Sequence, residues 1–164
     1  MLERFRVVPA AYVLLLRPEP DGPAGSDGAT GRQVLLQLRQ GTGYRDGHWA
    51  AAAAGHVERG ESVFEAAVRE AREELGIELR TDGLVPLTAM HRTAGDGDPV
   101  NERVDYFLTA SDWSGVPAIQ EPDKCADLEW FSLDALPDPV VPHEAVVLDL
   151  LRRGAVPAIL AHGF

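Results

Sequence analysis

The sequence has little cysteine and no apolar stretch long enough to cross a membrane. Cys125 is the only cysteine among 164 residues, which excludes an internal disulfide and a cysteine-rich zinc site. Nothing in the composition requires an oxidising compartment, so we expect a cytoplasmic location. The longest early apolar run, Val7 to Leu16, is shorter than the roughly 20 residues that a membrane helix needs, and the first residues lack the order of a secretory signal. We therefore expect no membrane partner.

Positive charge is also scarce. Fifteen Lys and Arg against 26 Asp and Glu give a formal net charge of −11. This balance opposes non-specific binding to nucleic acid, so we expect no nucleic-acid partner. If the ligand is an anion, the positive charge that holds it must come from elsewhere, and we expect a divalent metal to supply it. Lys124 is the only lysine, and a GC-rich coding sequence explains this preference for arginine better than phosphate recognition does.

The length and composition predict one folded domain over residues 1–164, since 45% hydrophobic and 25% charged residues are ordinary values for a globular protein. Gly, Pro, Asp and small residues dominate residues 18–32 and predict a flexible loop there. Residues 154–164 are interpreted as a short tail. Apolar runs predict strands, and the alanine-rich segment that leads to Gly55 is also predicted to be extended. The extended segments are Val7 to Leu16, Val34 to Leu38, Trp49 to Val57, Leu84 to His91, Arg103 to Ala110 and Leu128 to Leu133.

Two helices complete the pattern. Ser62 followed by Glu65 forms a capping box, and Gly76 is a C-terminal stop, so the spacing predicts a helix over residues 63–75. A second helix is predicted over residues 143–153 from apolar residues at helical spacing. Strands with one helix in the middle and another near the end indicate an α+β fold, arranged as a sandwich.

The first helix carries an acidic group. Glu70 precedes Glu73 by three residues and Glu74 by four, so three carboxylates project from neighbouring positions. Like charges this close repel one another, and a cation among them relieves the repulsion. Oxygen-only ligands favour Mg²⁺ or Mn²⁺, with Ca²⁺ as an inert substitute. The alternative is a solvated acidic helix face balanced by Arg69 and Arg72, and the carboxylates alone do not decide between the two interpretations.

The residues that flank the carboxylates favour the metal site over the solvated helix face. The pattern Gly55-x5-Glu61-x7-Arg69-Glu70-x2-Glu73-Glu74-x-Gly76 resembles the signature of the Nudix hydrolases. The departure is slight: Ala71 stands where a larger aliphatic residue is usual. This resemblance implies the Nudix-type α/β/α sandwich, with a mixed β-sheet between helices. The segment from residue 55 to residue 77 holds six Glu and three Arg, a local charge of −3 that we interpret as a holder for cations.

The resemblance also implies a role for each residue of this box. Glu70, Glu73 and Glu74 would bind the metal together with the backbone carbonyl of Gly55. Arg69 would orient the glutamates. Glu61 would support the metal ligands from behind. Glu73 is our candidate for the general base, although members of the family differ in where the base lies. We expect Glu74→Gln to abolish activity and to spare the fold, because Glu74 is predicted to lie on a mostly exposed helix face.

Three residues outside the box are candidates for binding the substrate. Arg39 ends the second predicted strand and Arg45 lies in the next turn, so either could clamp a phosphate with two hydrogen bonds. An exposed arginine at the end of a strand explains Arg39 almost as well. Glu121 lies in a proline-bounded loop from which it could reach the phosphates or contact a base. A solvated surface loop is the favoured alternative for Glu121.

The resemblance implies hydrolysis of a diphosphate bond in a nucleoside diphosphate derivative. The sequence lacks the markers of enzymes that act on ADP-ribose, on diadenosine polyphosphates or on NADH, which leaves a small MutT-like enzyme that cleaves a nucleoside or deoxynucleoside triphosphate to a monophosphate and pyrophosphate. The paired aspartates that recognise an oxidised base in related animal enzymes appear here as His143 and Glu144, so we do not predict an oxidised base.

Three alternatives to this hypothesis remain. They are a pyrophosphatase for ADP-ribose or a nucleotide sugar, a module that senses a nucleotide without cleaving it, and an isomerase of an isoprenoid diphosphate. The isomerase needs a cysteine before the box, and Cys125 follows it. We expect a small nucleotide as the partner and leave a homodimer as an alternative to a monomer.

Overall fold

The computed structural model describes residues 4–20 and 31–164. In these residues the chain forms eight strands, two α-helices and two short 3₁₀ turns at Thr81–Gly83 and Pro99–Asn101. The longer elements are, in chain order, β1 (Val8–Pro18), β2 (Arg32–Arg39), β3 (Trp49–Ala51), β4 (Ala53–His56), α1 (Val63–Leu75), β5 (Val85–Arg92), β6 (Arg103–Ala110), β7 (Cys125–Ser132), α2 (Pro142–Arg152) and β8 (Ile159–His162).

The strands form one mixed sheet with β1 near its centre. Along the main path the order is β3-β2-β1-β6-β5-β8, while β4 pairs with β1 and β7 pairs with β2. Strand β1 is parallel to β6, with Ala10 opposite Asp105, and antiparallel to β2 and β4. The first two strands along the chain are therefore antiparallel neighbours in the sheet.

The two faces of β1 pack against different helices, because side chains alternate along a strand. Ala11, Val13 and Leu15 belong to a buried cluster with α1. Tyr12, Leu14 and Leu16 belong to a second cluster with α2. The sheet thus lies between the helices, and the predicted α/β/α sandwich is confirmed.

Helix α1 begins and ends where the sequence predicts. Ser62 accepts a hydrogen bond from the Glu65 backbone N–H at 3.2 Å, and the Glu65 carboxylate accepts one from the Ser62 N–H at 2.7 Å. Gly76 adopts the left-handed conformation with φ 67°, which ends the helix. Ala71 is fully buried in the cluster beneath α1, so the small residue at this position of the box lets the helix approach the sheet closely.

The segment interpreted as a tail contains a strand, which is the main error of the sequence prediction. Strand β8 runs parallel to β5, with Ala89 opposite Ile159. The four residues of β8, Ile-Leu-Ala-His, lack the polar–apolar alternation that marks a strand in a sequence, and the partner that pairs with β8 lies 70 residues earlier in the chain.

Strands β1 and β2 extend one residue each into the predicted loop, to Pro18 and from Arg32, and the Glu19 N–H donates to the Gly31 carbonyl at 2.9 Å. Residues 21–30 of that loop lie outside the described residues. In the described part of the chain, no helix is both long enough and apolar enough to cross a membrane.

Candidate active site

Gly55 brings the backbone of β4 into contact with the first carboxylate of α1. A Cβ atom added to Gly55 would overlap the carboxylate of Glu70. Glu70 can therefore lie against the β4 backbone only because residue 55 has no side chain. The side chain of Glu70 is 12% exposed. The first glycine of the box and the glutamate predicted to be its first metal ligand thus lie side by side.

A single guanidinium group joins the carboxylates of the box. Arg69 donates to Glu61 at 2.7 Å and to Glu70 at 2.6 Å. It also donates to Glu73 at 3.2 Å and to the His56 carbonyl at 3.0 Å. The orienting role that the resemblance implies for Arg69, and the supporting role of Glu61, agree with these contacts.

Glu74 is half-buried and fixed to the strand backbone, so the expected mostly exposed helix face is wrong for this residue. Its carboxylate accepts a hydrogen bond from the Ala54 N–H at 2.8 Å. The face of α1 that carries Glu74 also carries Ala71, which packs on the sheet, and the helix lies too close for the glutamate to remain in solvent. Burial raises the pKa of Glu74 to about 8, and the charge of Glu70 adds to the effect.

Burial also raises the pKa of Glu70, against the opposing effect of Arg69. Glu70 and Glu74 are therefore neighbouring carboxyl groups that both resist ionisation, and a bound cation would stabilise their ionised forms. Their donor atoms are hard oxygens, which fit Mg²⁺ or Mn²⁺. Within residues 4–20 and 31–164 no three His, Cys, Asp or Glu side chains have the arrangement of an assembled metal site. Glu73 is bonded to Arg69 and its side chain is 57% exposed, so the third carboxylate does not join the other two.

The loop before β7 places Glu121 beside the box. The loop is tied to the end of α1, since the Gln120 N–H donates to the Glu74 carbonyl at 3.2 Å. The negative charge of Glu121 contributes to the raised pKa of both Glu70 and Glu74. Lys124 pairs with Glu121 at 2.8 Å. Glu121 therefore lies within electrostatic reach of both carboxylates.

A cleft of about 400 Å³ opens on the other side of β4, and Ala54 and Gly55 form part of its wall. Arg39 lines this cleft and donates to the Tyr44 carbonyl at 2.9 Å and to the Thr42 hydroxyl at 3.0 Å. Arg45 is exposed, has φ 51°, and does not line the cleft. The structure thus separates the two arginines that the sequence offered as alternatives.

The cleft also holds charged residues that sequence reasoning missed. Arg92 donates to Asp105 at 2.7 Å and Arg103 donates to the same carboxylate at 3.1 Å. Asp105 is fully buried. It is the one acidic residue of β6 and is flanked by Val104 and Tyr106, a signal that could have revealed it. No motif spacing links Arg92 with Arg103, which become partners only when β5 pairs with β6.

A second buried glutamate lies in the cleft wall on the α2 side. Glu144 is 3% exposed and accepts a hydrogen bond from the Ala51 N–H at 2.5 Å. Burial raises its pKa to about 7. Glu74 from α1 and Glu144 from α2 thus bind backbone N–H groups three residues apart, Ala54 and Ala51.

A mixed sheet between two helices, with a carboxylate-bearing helix packed at the end of β4, defines an α/β/α domain of the Nudix type. The family model described as "NUDIX domain" matches residues 25–151, and the chain belongs to this family. The fold also matches that of a MutT NUDIX hydrolase from Burkholderia pseudomallei, with a TM-score of 0.70 and 29% identity over 88% of this chain and 97% of the other.

Curated relatives fall into two groups. The NAD-capped RNA hydrolase NudC of Pseudomonas aeruginosa is 34% identical over 113 residues, which are 65% of this chain and 37% of NudC. An isopentenyl-diphosphate Delta-isomerase of Cereibacter sphaeroides is 33% identical over 118 residues, which are 69% of this chain and 64% of the isomerase. The chain thus spans 37% of one relative and 64% of the other.

Proposed function

We propose that the protein hydrolyses a diphosphate bond in a nucleoside diphosphate derivative. The favoured substrate is a nucleoside or deoxynucleoside triphosphate, which would give a monophosphate and pyrophosphate. The observation that carries this proposal is the pair of half-buried carboxylates, Glu70 and Glu74, held against the β4 backbone at the edge of a cleft.

Mg²⁺ is the proposed cofactor, with Mn²⁺ as a substitute. Glu70, Glu74 and the carbonyl of Gly55 would hold it, and Glu73 would join them when it leaves Arg69. When bound, such a cation neutralises phosphate oxygens and makes water a better nucleophile. The raised pKa of Glu74 supports this assignment. Its half-buried carboxyl group resists ionisation in the metal-free protein, and a bound cation would stabilise the ionised form.

The residues around the cation prepare the reaction. Arg69 fixes Glu70 in place and holds Glu73 until the metal binds, and Glu61 fixes Arg69 by a third ion pair. Glu73 serves as the general base, because its side chain is 57% exposed and is open to solvent water. Glu121 is the alternative base, since its charge acts on both buried glutamates.

The reaction is an in-line attack of water on phosphorus. The oxygen of water forms a bond to phosphorus while the bridging P–O bond breaks. The proton of water passes to the Glu73 carboxylate, and the electron pair of the broken bond leaves with the departing phosphate group. Arg39 in the cleft and Glu121 beside the box are the proposed substrate contacts, and Arg45 has weaker support because it does not line the cleft.

The relatives suggest other substrates. NudC acts on NAD-capped RNA by its name, which adds a dinucleotide to the ADP-ribose and nucleotide-sugar alternatives. The isomerase relatives do not change the proposal, because Cys125 is buried, lies after the box, and donates to the Asp127 carbonyl at 3.1 Å. The non-catalytic sensing module is disfavoured by the retention of all three glutamates. A cytoplasmic location and a homodimer remain predictions.

The test is a product-release panel. The wild-type protein is incubated with nucleoside and deoxynucleoside triphosphates, ADP-ribose, nucleotide sugars, dinucleotides including NAD, and isopentenyl diphosphate, with Mg²⁺ and then with Mn²⁺. We expect turnover of at least one nucleoside triphosphate, and no turnover by Glu74→Gln. Nucleotide binding without turnover above that variant would support the sensing module instead.

A further inference from the structure

We propose that Arg92 and Arg103 form a binding site for a phosphomonoester group of a nucleotide, and that this site works without metal. The site lies in the cleft, on the α2 side of the sheet, away from the glutamates of the box. The proposal deepens the proposed function in one respect, since a nucleotide whose diphosphate lies at the carboxylates would extend along the cleft wall formed by Ala54 and Gly55.

The cleft concentrates positive charge in an acidic protein. Arg39, Arg92 and Arg103 line it, and Glu144 is the one acidic residue among its described lining residues. Three positive charges and one negative charge give the lining a formal charge of +2, or +1 when the buried Asp105 that pairs with Arg92 and Arg103 is counted, while the whole chain carries −11. A cleft of this sign attracts anions that the remainder of the surface repels.

Asp105 holds the two arginines as a pair. Its two carboxylate oxygens each accept a hydrogen bond from one guanidinium Nε, at 2.7 Å from Arg92 and 3.1 Å from Arg103. Among the described residues, only the Nε group of each arginine donates to Asp105, which leaves terminal nitrogens of both guanidinium groups for other partners. One of these, Nη1 of Arg103, contacts Nε2 of His56 at 2.8 Å. The fork of an arginine suits the geometry of phosphate oxygens.

The charges of this cluster do not balance. Two guanidinium groups surround one carboxylate, and the side chains of Arg92 and Arg103 are only 10% and 13% exposed. His143 lies 3.8 Å from Asp105, but burial, with a further effect of Arg92, lowers its pKa and keeps it neutral. The cluster therefore keeps one excess positive charge that is largely withdrawn from water, and an anion in the cleft compensates it.

The alternative is a purely structural cluster that ties the ends of β5 and β6 together. A single arginine would neutralise Asp105 and serve that purpose. The structural alternative therefore leaves the second arginine and the adjacent cleft unexplained, whereas an anionic ligand in the cleft accounts for both.

Calorimetry in EDTA tests the site with adenosine 5′-monophosphate, inorganic phosphate and adenosine as probes. We expect the monophosphate and phosphate to bind and adenosine not to bind at the same concentrations. Arg103→Gln should weaken binding of the monophosphate at least about tenfold, the effect of losing charge-assisted hydrogen bonds. Arg103→Lys should have an intermediate affinity, because it keeps the charge and loses the fork.

Arg80→Gln is the matched control, since it removes the same charge from an exposed residue outside the cleft. Equal affinity of Arg103→Gln and Arg80→Gln for the monophosphate, or equal affinity of the wild type for adenosine and its monophosphate, would overturn the proposal. If Arg103→Gln does not fold, the wild type is compared with Arg103→Lys. Inorganic phosphate in EDTA should raise the melting temperature of the wild type more than that of Arg103→Lys. An equal rise in both proteins, or no rise in either, would overturn the proposal.

These measurements involve neither metal nor turnover. Binding of the monophosphate by a wild type that cleaves no substrate would leave this site standing and remove the proposed function. Turnover of a substrate without arginine-dependent binding in EDTA would support the proposed function and overturn this site.

Discussion

Gly55 and Glu70 lie so close together that no side chain fits between them. The contact joins β4 to α1 at the proposed metal site, and it makes the absence of a Cβ atom at residue 55 a requirement for the position of the first carboxylate. This dependence can be tested by adding a single methyl group.

Gly55→Ala should displace the Glu70 carboxylate and lower kcat/KM on the order of 10²-fold, the scale expected when a catalytic group moves by about 1 Å. The measurement is turnover of the best substrate from the panel. Gly83→Ala is the control, because a Cβ atom there meets nothing closer than 4.0 Å. Full activity of Gly55→Ala would show that Glu70 does not need its observed position.

Glu74→Gln should abolish turnover without lowering the melting temperature. The variant removes a proposed ligand charge from a half-buried position, and its amide oxygen can still accept the hydrogen bond from Ala54. Because burial opposes the charge of Glu74, the neutral side chain should leave the metal-free protein as stable as the wild type or more so. Activity and thermal melting in EDTA are measured together, and a large drop in the melting temperature would contradict the reasoning.

Ser62→Ala should lower the free energy of unfolding by about 1 kcal/mol, the usual effect of removing an N-cap hydrogen bond. Its side chain satisfies the Glu65 N–H, which has no partner inside the helix. Urea denaturation measures the change. Ser62→Thr, which keeps the hydroxyl, is the control and should retain most of the stability.

Glu144→Gln should flatten the dependence of stability on pH. Burial raises the folded-state pKa of Glu144 from its ordinary value of 4.5 to about 7. The hydrogen bond from Ala51 and the charges of Arg39 and Arg92 oppose this rise, while Asp105 adds to it. A folded pKa above the unfolded one means that the folded state binds the proton more tightly. The contribution of Glu144 is therefore fully present below the unfolded value and is lost as pH rises through 7.

The wild type should lose up to about 3 kcal/mol more than Glu144→Gln between pH 5 and pH 8. Denaturation at a series of pH values measures the free energy of unfolding of both proteins. The difference between the two profiles isolates the titration of Glu144, because the other titratable groups are common to both proteins. Parallel profiles would show that the pKa of Glu144 is close to that of an exposed carboxyl group.

The sequence predicts α1 from end to end because every signal that defines it is local. Ser62, Glu65 and Gly76 fix its ends, and the same signals correctly exclude a helix from the alanine-rich segment before Gly55. The composition of the box is equally local, and the family it predicts is confirmed.

The parts that sequence reasoning missed depend on contacts between distant residues. Strand β8 exists because β5 offers its edge, and Arg92 lies opposite Arg103 because β5 and β6 pair in that register. The predicted exposure of Glu74 is wrong for a related reason. Helical spacing gives the face on which a residue lies, while the distance of that face from the sheet depends on how small its neighbours are.

The separation of an acidic chain from a basic cleft has a kinetic consequence. A phosphate-bearing ligand far from the protein meets a net charge of −11, while inside the cleft it meets three arginines. Salt screens the distant charges over a Debye length of about 10 Å at 0.1 M, so added salt should speed the approach of the ligand. The same salt weakens its contacts with the arginines and speeds its departure. Association and dissociation rates should therefore both rise with ionic strength. The nucleotide should exchange fastest at the high ionic strength at which it binds most weakly.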